Sequence, residues 1–253
     1  MTDLSGQHAL VTGGGTGVGA AIVRALADAG AAVTLTGRRT GPIEDLAASL
    51  PKAQAIACDV TDEVSVEALF AKASETFGAP GIVVANAGAA ESAPIGRTDM
   101  AAWDRMISVN LTGSFLTARA ALGPMRKAKS GRMIFIASTA GLKGYAYVAP
   151  YTAAKHGTIG LMRSLALETA REGITVNAVC PGFTETPLLA DSIRNIMEKT
   201  GRDEAAARAE LTKVNPQNRF IQPSEVAATV LWLCAPDAVG ITGQAIAVAG
   251  GEV

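Results

Sequence analysis

Short apolar segments alternate with helix-length amphipathic segments along the whole chain. The apolar segments contain many β-branched residues and few polar ones, which is typical of strands buried on both faces of a sheet. They are HALVT (8–12), AVTLT (32–36), AIACD (55–59), GIVVAN (81–86), RMIFIAS (132–138), ITVNAVC (174–180) and QAIAVAG (244–250). The pattern therefore predicts a parallel sheet of about seven strands.

Helical patterns fill the intervals between these segments. They cover residues 17–30, 62–78, around 100–129 and around 149–172, and a further core helix begins at 223. Gly30, Gly78 and Gly173 follow three of these patterns, where a glycine often caps a helix C-terminus. Strand–helix alternation indicates βαβ units, and hence an α/β fold with a single Rossmann-type doubly wound parallel sheet and helices on both faces.

The segment that follows CPG (180–182) interrupts the alternation for about 40 residues. It is more polar than its surroundings and locally helical, and it follows the C-terminal end of a strand. Open α/β sheets bind their ligands at that edge. We therefore predict a small helical substrate lid over about 183–222 within a single domain of residues 1–253.

The glycine-rich stretch TGGGTGVG (12–19) joins the first predicted strand to the first predicted helix. Its glycines allow a sharp turn and a close approach of the backbone to a ligand. The helix that follows offers free N–H groups and a partial positive charge to a pyrophosphate. We therefore predict that a dinucleotide contacts Gly13, Thr16, Gly17, Val18 and Gly19.

The second predicted strand ends in LTGRR (35–39), which bears on the choice of cofactor. Gly37 takes the place where an acidic residue would accept the ribose hydroxyls of NAD. Arg38 follows, and a guanidinium can pair with a 2′-phosphate. NADP(H) is therefore favoured, with NAD(H) as the alternative because Thr16 supplies no second cation. Asp59 and Val60 are predicted beside the adenine, although Asp59 fits a helix N-cap in CDVTDE equally well.

The stretch PYTAAK (150–155) places a tyrosine and a lysine on one helical face. Pro150 suits the first turn of the helix, and Tyr151 and Lys155 are four residues apart. A nearby ammonium lowers the pKa of a phenol towards neutral pH, as general acid–base chemistry requires. The alternative is a structural pair without chemistry.

The composition of the chain argues against binding to nucleic acid, to membranes and to metals. Of the 253 residues, 49% are hydrophobic and 18% are charged, which argues against disorder, and a net charge of −1 gives no attraction for nucleic acid or an anionic membrane. The N-terminus resembles no signal peptide and no apolar run could span a membrane, so we expect a cytoplasmic protein. Three isolated cysteines and two histidines predict no metal site.

The motifs occur together in an order that identifies a family. TGGGTGVG, ANAG (85–88), Asn110, Ser138 and YTAAK (151–155) make the chain resemble the short-chain dehydrogenase/reductase family over essentially its whole length. The resemblance implies that Ser138 binds the substrate oxygen and that Tyr151 transfers a proton. It implies that Lys155 holds the nicotinamide ribose and lowers the pKa of Tyr151, and that Asn110 holds a water in a proton relay.

The same resemblance extends the cofactor site and implies an assembly. The long helices around 100–129 and 149–172 would form a homotetramer. Tyr145 and Tyr147 flank the expected substrate mouth, where they either line it or lie on the surface. One departure is Ala249, where many relatives carry an aspartate before paired glycines. Further cofactor contacts are implied at Asn86, Ala87, Gly88, Tyr151, Lys155, Pro181, Gly182, Thr184 and Thr186.

Two subfamilies compete for the function. The stretch from Ile136 to Gly157 resembles bacterial type II polyketide ketoreductases, which reduce a ketone on an acyl thioester with NADPH. The lid resembles that of 3-hydroxybutyrate dehydrogenases, which hold a free carboxylate with a glutamine, a histidine and a lysine. Here Ala90, Ala140 and Val148 take those places. An NAD(P)-dependent ketone reductase, with a 3-oxoacyl thioester as candidate substrate, is therefore favoured. The alternatives are an NAD-dependent 3-hydroxybutyrate-type or other secondary-alcohol dehydrogenase, a non-catalytic dinucleotide sensor and a nucleotide-sugar epimerase.

Overall fold

The computed structural model describes residues 2–253 and contains one seven-stranded parallel sheet. The strand order is β3-β2-β1-β4-β5-β6-β7, so the topology reverses between β1 and β4. The predicted doubly wound α/β fold is confirmed. The strands are β1 (His8–Thr12), β2 (Ala32–Gly37), β3 (Ala53–Ala57), β4 (Ile82–Ala85), β5 (Gly131–Ile136), β6 (Ile174–Pro181) and β7 (Ala245–Val248).

Helices cover both faces of this sheet. Each face has its own apolar cluster, and both clusters include fully buried strand residues such as Leu10 and Val11. No helix of residues 2–253 is long and apolar enough to cross a membrane. The helices are α1 (Gly17–Asp28), α2 (Thr40–Ala48), α3 (Glu63–Phe77), α4 (Met100–Ile107), α5 (Gly113–Ala128), α6 (Ala149–Thr169), α7 (Pro187–Thr200), α8 (Glu204–Thr212) and α9 (Pro223–Cys234).

The third strand is displaced from its predicted range. The third strand was expected over 55–59 but covers 53–57. It ends early because the Asp59 carboxylate accepts hydrogen bonds from the N–H and the hydroxyl of Thr61, at 3.0 and 2.8 Å, and so forms a turn. The N-cap suggested for Asp59 is wrong as well. Asp62 caps α3 by accepting hydrogen bonds from the N–H groups of Val64 and Ser65.

The helix expected over about 100–129 is interrupted. Its two halves, α4 and α5, are joined by a π-helical turn over Ser108–Thr112, which contains Asn110. Such turns insert one extra residue into the helical spiral and often occur at functional sites.

Helices α7 and α8 lie after the C-terminal end of β6, where the lid is predicted. They bury a small cluster of their own, made of Leu189, Ile193, Ala207 and Phe220. The chain rejoins the main body at Ile221, which pairs with Thr184 in an isolated parallel bridge. A separate apolar cluster fits a small subdomain above the ligand-binding edge of the sheet.

Candidate active site

The glycine-rich loop lies between β1 and α1, at the point where the strand order reverses. Gly13 has a φ of +63°, and a Cβ there would lie 2.9 Å from Cα of Ala87. A Cβ on Gly19 would lie 2.1 Å from the carbonyl oxygen of Gly13. Both positions require glycine because the loop packs directly on the backbone after β4 and on the first turn of α1.

Hydrogen bonds from the β4 end hold this loop in place. The Asn86 amide donates to the carbonyl oxygens of Thr12 and Gly13, at 2.8 and 3.1 Å. The Thr12 hydroxyl accepts from the backbone N–H groups of Asn86 and Ala87, both at 3.0 Å. The Asn86 side chain therefore braces the loop. Thr16 is the N-cap of α1 but caps no N–H with its side chain, so the first N–H groups stay available to an anion.

A cleft of about 870 Å³ runs from the glycine loop along the ends of β2 and β3 to the segment after β4. Arg38 and Arg39 line it and are exposed. Hydrogen bonds from Thr61 hold the pKa of Asp59 below its usual range, and the positive charge of Arg38 adds to the effect. A cleft lined both by the N-terminus of a helix and by guanidinium groups suits a dinucleotide. The predicted cofactor residues that line it are Gly13, Thr16, Arg38, Asp59, Val60, Ala87 and Gly88.

The remaining predicted cofactor contacts lie beside this cleft rather than in its lining. A Cβ on Gly17 would lie 3.3 Å from Cγ2 of Thr186, so the start of α7 contacts the glycine loop. Thr186 also caps α7 by accepting a hydrogen bond from the N–H of Leu189. The Thr184 hydroxyl donates to the carbonyl oxygen of Gly182 at 2.9 Å. Val18 lies in the first turn of α1, and Pro181 ends β6.

Lys155 is buried at the centre of the site. Its ammonium donates to the carbonyl oxygen of Ile136, the last residue of β5, at 2.9 Å, and lies 5.5 Å from the centroid of the Tyr151 ring. A Cβ on Gly88 would lie 3.7 Å from this ammonium and 2.8 Å from Oδ1 of Asn110. Gly88 therefore leaves room for the two side chains at the end of the cleft.

Burial dominates the electrostatics of this pair. It lowers the pKa of Lys155 from 10.5 to about 8. It raises the pKa of Tyr151, against a smaller lowering effect of the hydrogen bond from Ser138. The lowering of the phenol pKa by Lys155 therefore stays a prediction, since burial raises the pKa of Tyr151 here.

Ser138 follows β5 and begins a short 3-10 turn. Its hydroxyl accepts a hydrogen bond from the N–H of Ala140 at 3.1 Å. Ser138 is 9% exposed, so the residue is largely buried. The end of β5 and the first turns of α6 thus bring together Ser138, Tyr151 and Lys155.

Asn110 joins the π-helical turn to the segment after β4. Its amide donates to the carbonyl oxygen of Ala89 at 2.9 Å, and its Oδ1 accepts from the N–H of Ala89 at 3.3 Å. Its main-chain carbonyl accepts from the hydroxyls of Ser114 and Thr158, at 2.8 and 3.2 Å. Thr158 was not predicted, although its position three residues after Lys155 on α6 could have indicated it.

A polar cluster beside Ser138 escaped the sequence analysis, apart from Tyr145. The Tyr145 hydroxyl lies 2.6 Å from the hydroxyl of Thr139 and donates to the carboxylate of Glu252. The Lys143 ammonium pairs with the same carboxylate at 3.0 Å. Glu252 is the penultimate residue, and no local pattern marks a residue there as belonging to the site.

Helix α7 contacts the segment after β4. The Asn195 amide donates to the hydroxyl of Ser92 at 2.8 Å, and the Lys199 ammonium donates to the carbonyl oxygen of Ser92 at 3.3 Å. On the other side, the N–H of Ala93 donates to the carbonyl oxygen of Tyr147 at 2.8 Å. Tyr147 itself is 65% exposed.

The chain is similar to known proteins over almost its whole length. Residues 13–252 match the family model described as enoyl-(acyl carrier protein) reductase. The chain is 38% identical to a protein named as a ketoacyl reductase of Streptomyces coelicolor, over 99% of this chain and 98% of that one. It is 37% identical to a D-β-hydroxybutyrate dehydrogenase of Rhizobium meliloti, over 97% and 98% respectively. The structure of an actinorhodin polyketide ketoreductase variant with NADPH aligns with a TM-score of 0.94 at 36% identity, covering 97% of each chain.

These relatives are named as reductases and dehydrogenases, and they match almost the whole chain. The chain belongs to the short-chain dehydrogenase/reductase family and is an oxidoreductase that interconverts a ketone and a secondary alcohol with a nicotinamide dinucleotide.

Proposed function

We propose that the protein is an NADP-preferring ketoreductase whose substrate is a neutral ketone of the 3-oxoacyl thioester class. The observation that carries the proposal is the buried Lys155, beside Tyr151 and Ser138, at the end of the dinucleotide cleft. Supporting it are relatives that are named as ketoacyl reductases. The alternative outcome of the test below is an NAD-dependent hydroxy-acid dehydrogenase.

In the proposed mechanism the reacting oxygen of the substrate lies between Ser138 and Tyr151. The Ser138 hydroxyl donates to the carbonyl oxygen and orients it, and the Tyr151 hydroxyl gives up its proton as that oxygen becomes negative. The bound nicotinamide dinucleotide supplies the hydride. Lys155 in its charged form favours the phenolate that results and binds the ribose. Asn110 keeps the segment after β4 packed against Lys155 through its two bonds with Ala89.

The preference for NADP rests on the end of β2. Gly37 offers no carboxylate to accept ribose hydroxyls, whereas Arg38 and Arg39 place two guanidinium groups at the same end of the cleft. A 2′-phosphate accepts charge-assisted hydrogen bonds from such groups. Asp59 partly offsets the positive charge of Arg38, so NAD remains the competing cofactor.

The proposal of a neutral substrate rests on the three positions that resemble the carboxylate-binding positions of 3-hydroxybutyrate dehydrogenases. Ala90, Ala140 and Val148 offer no group that could pair with a small free carboxylate. A buried anion without a partner binds poorly because its desolvation is not compensated. An ester or a thioester carries no such charge.

The test is the consumption of reduced nicotinamide, followed by absorbance, with a panel of 3-oxoacyl thioesters, free 3-oxo acids and simple ketones, each with NADPH and NADH. Tyr151→Phe should lower kcat by at least about 10²-fold while leaving the dissociation constant of NADPH nearly unchanged. Tyr147→Phe is the matched control, because that exposed hydroxyl lies outside the proposed chemistry. Wild-type turnover by Tyr151→Phe would refute the mechanism. A preference for free 3-oxo acids with NADH would support the alternative function.

We also propose a homotetramer in the cytoplasm. Apolar side chains are exposed on three neighbouring helices: Met100 and Trp103 on α4, Phe115 on α5 and Leu167, 84% exposed, on α6. Such a patch supports a subunit interface. Light scattering should give the mass of four chains for the wild type, and Leu167→Glu should lower it. A wild-type monomer at micromolar concentration would refute the assembly.

A further inference from the structure

We propose that Glu252 determines substrate charge specificity: its buried carboxylate neutralises Lys143 beside the substrate cleft, so that the cleft favours neutral ketones over anionic ones. The inference rests on the proposed ketone reduction and names a residue outside the predicted site. Glu252 is a positioning residue here, because it acts through Lys143 and Tyr145.

The carboxylate of Glu252 is enclosed by protein. Its side chain is 1% exposed, and Oε1 lies 3.0 Å from the Lys143 ammonium and accepts a hydrogen bond from the Tyr145 hydroxyl. Oε2 is buried and has no hydrogen-bond partner among residues 2–253. A Cβ on Gly182 would lie 3.0 Å from this oxygen, so the carboxylate faces the end of β6.

The cluster borders the space where the ketone would bind. Tyr145 contacts Thr139, the residue after Ser138, and its ring meets that of Phe183 edge to face with centroids 6.1 Å apart. The pKa of Tyr145 is raised, chiefly by burial, then by its bond to Glu252, and also by the nearby Tyr151. The cluster thus connects the loop between Ser138 and Tyr151 to the segment that follows β6.

Lys143 is the cation that a charged substrate would meet here. Its side chain is 36% exposed, and its ammonium also lies 5.1 Å from the centroid of the Tyr145 ring. Paired with Glu252, it presents no net charge. Without Glu252, the same ammonium would attract a substrate carboxylate at the mouth of the cleft.

Glu252 also bears on the departure at Ala249. A Cβ on Gly182 would lie 3.3 Å from Cβ of Ala249 as well as close to Glu252. The chain therefore has a carboxylate beside Ala249, supplied from three residues further along. The bonds of Oε1 to Lys143 and Tyr145 hold the carboxylate there.

The experiment compares 3-oxobutyrate with its methyl ester, which differ in charge and little in shape. In Glu252→Gln, the ratio of kcat/KM for the acid to that for the ester should rise about three- to tenfold, as expected for a partly exposed ammonium left without its partner. Lys143→Gln should lower the ratio, and the double variant should restore it. Glu67→Gln, at an exposed position on α3, is the matched control. Glu252→Asp should keep the wild-type ratio.

Each outcome decides the question. An unchanged ratio in Glu252→Gln, or an equal loss for both substrates, would overturn the inference and leave Glu252 a structural residue. If Glu252→Gln does not fold, Lys143→Gln provides the test. An acid-to-ester ratio of kcat/KM in Lys143→Gln equal to that of wild type would overturn the inference. The ratio of dissociation constants, measured by calorimetry on enzyme loaded with oxidised cofactor, requires no turnover. A wild type that reduces no ketone would refute the proposed function, and the binding ratios would still test the role of Glu252.

Discussion

Replacing Lys155 by methionine should stabilise the fold while it abolishes turnover. Burial lowers the pKa of this lysine from 10.5 to about 8. Each tenfold change in a proton-binding constant corresponds to about 1.4 kcal/mol, so holding the charged lysine in the folded protein at pH 7 costs about 3 kcal/mol. The variant also loses the bond to the Ile136 carbonyl, and an unpaired buried group costs about 1–3 kcal/mol. We expect a net gain of about 1–2 kcal/mol.

The effect has a definite pH dependence. Between pH 8 and 10.5 the unfolded chain keeps the Lys155 proton and the folded protein releases it, so the stability of the wild type rises with pH through that window. Lys155→Met lacks this contribution. The gain in the free energy of unfolding of this variant over wild type should therefore be full below pH 8. It should vanish or reverse by about pH 10.5, where the variant differs from wild type only by the hydrogen bond that it lacks.

Urea unfolding without cofactor, at a single protein concentration and at several pH values, measures the effect. Cofactor is left out because a ligand that binds only the folded state adds stability of its own. For a chain of this length the expected gain corresponds to about 2–8 °C in Tm at pH 7. Lys127→Met, at an exposed position on α5, is the control. A Lys155→Met variant that is less stable than wild type at pH 7, by an amount independent of pH, would refute the reasoning.

Three further predictions follow from cofactor binding, loop geometry and a buried imidazole. Arg38→Ala should reduce the preference for NADPH over NADH by about tenfold in kcat/KM, since a charge-assisted bond contributes about 1.5–3 kcal/mol and this residue is exposed; equal values for the two cofactors in the wild type would contradict the assignment. Gly19→Ala should lower the affinity for both cofactors and destabilise the protein, because the added Cβ would lie 2.1 Å from the Gly13 oxygen; unchanged calorimetric binding would argue against a tight loop. Burial lowers the pKa of His8, so stability should be full above pH 6.5 and fall as the pH drops below it; His8→Asn should flatten that dependence in urea titrations, and an equally steep one would exclude His8 as its source.

Local pattern was sufficient for the elements with strong periodicity. Strands such as ITVNAVC are continuous apolar runs, and the structure places β6 within one residue of the predicted end. Helix α2 was missed because only Ile43 and Leu46 in it are buried, which gives little amphipathic signal, and because its N-cap, Arg39, makes no side-chain cap bond. Ends and weak elements depend on a few local bonds, which periodicity does not describe.

The interruption at Asn110 could not be predicted from spacing. A π-helical turn and a continuous α-helix have almost the same hydrophobic pattern over a few residues, since they differ by one inserted position. The structure shows why the turn is stable here: the hydroxyls of Ser114 and Thr158 donate to the freed carbonyl of Asn110. These partners come from two helices.

The sequence by itself determined the α/β fold, the glycine loop and the Tyr151–Lys155 pair, because each depends on spacings of a few residues that follow from helix and strand geometry. Only the tertiary structure decided where the Lys155 ammonium is directed and which groups the Glu252 carboxylate binds. The Ile136 carbonyl is 19 residues from Lys155, and Glu252 is 107 residues from Tyr145. Contacts of that kind arise when the sheet brings distant strand ends to one edge, and burial there sets the pKa values that a local pattern cannot reveal.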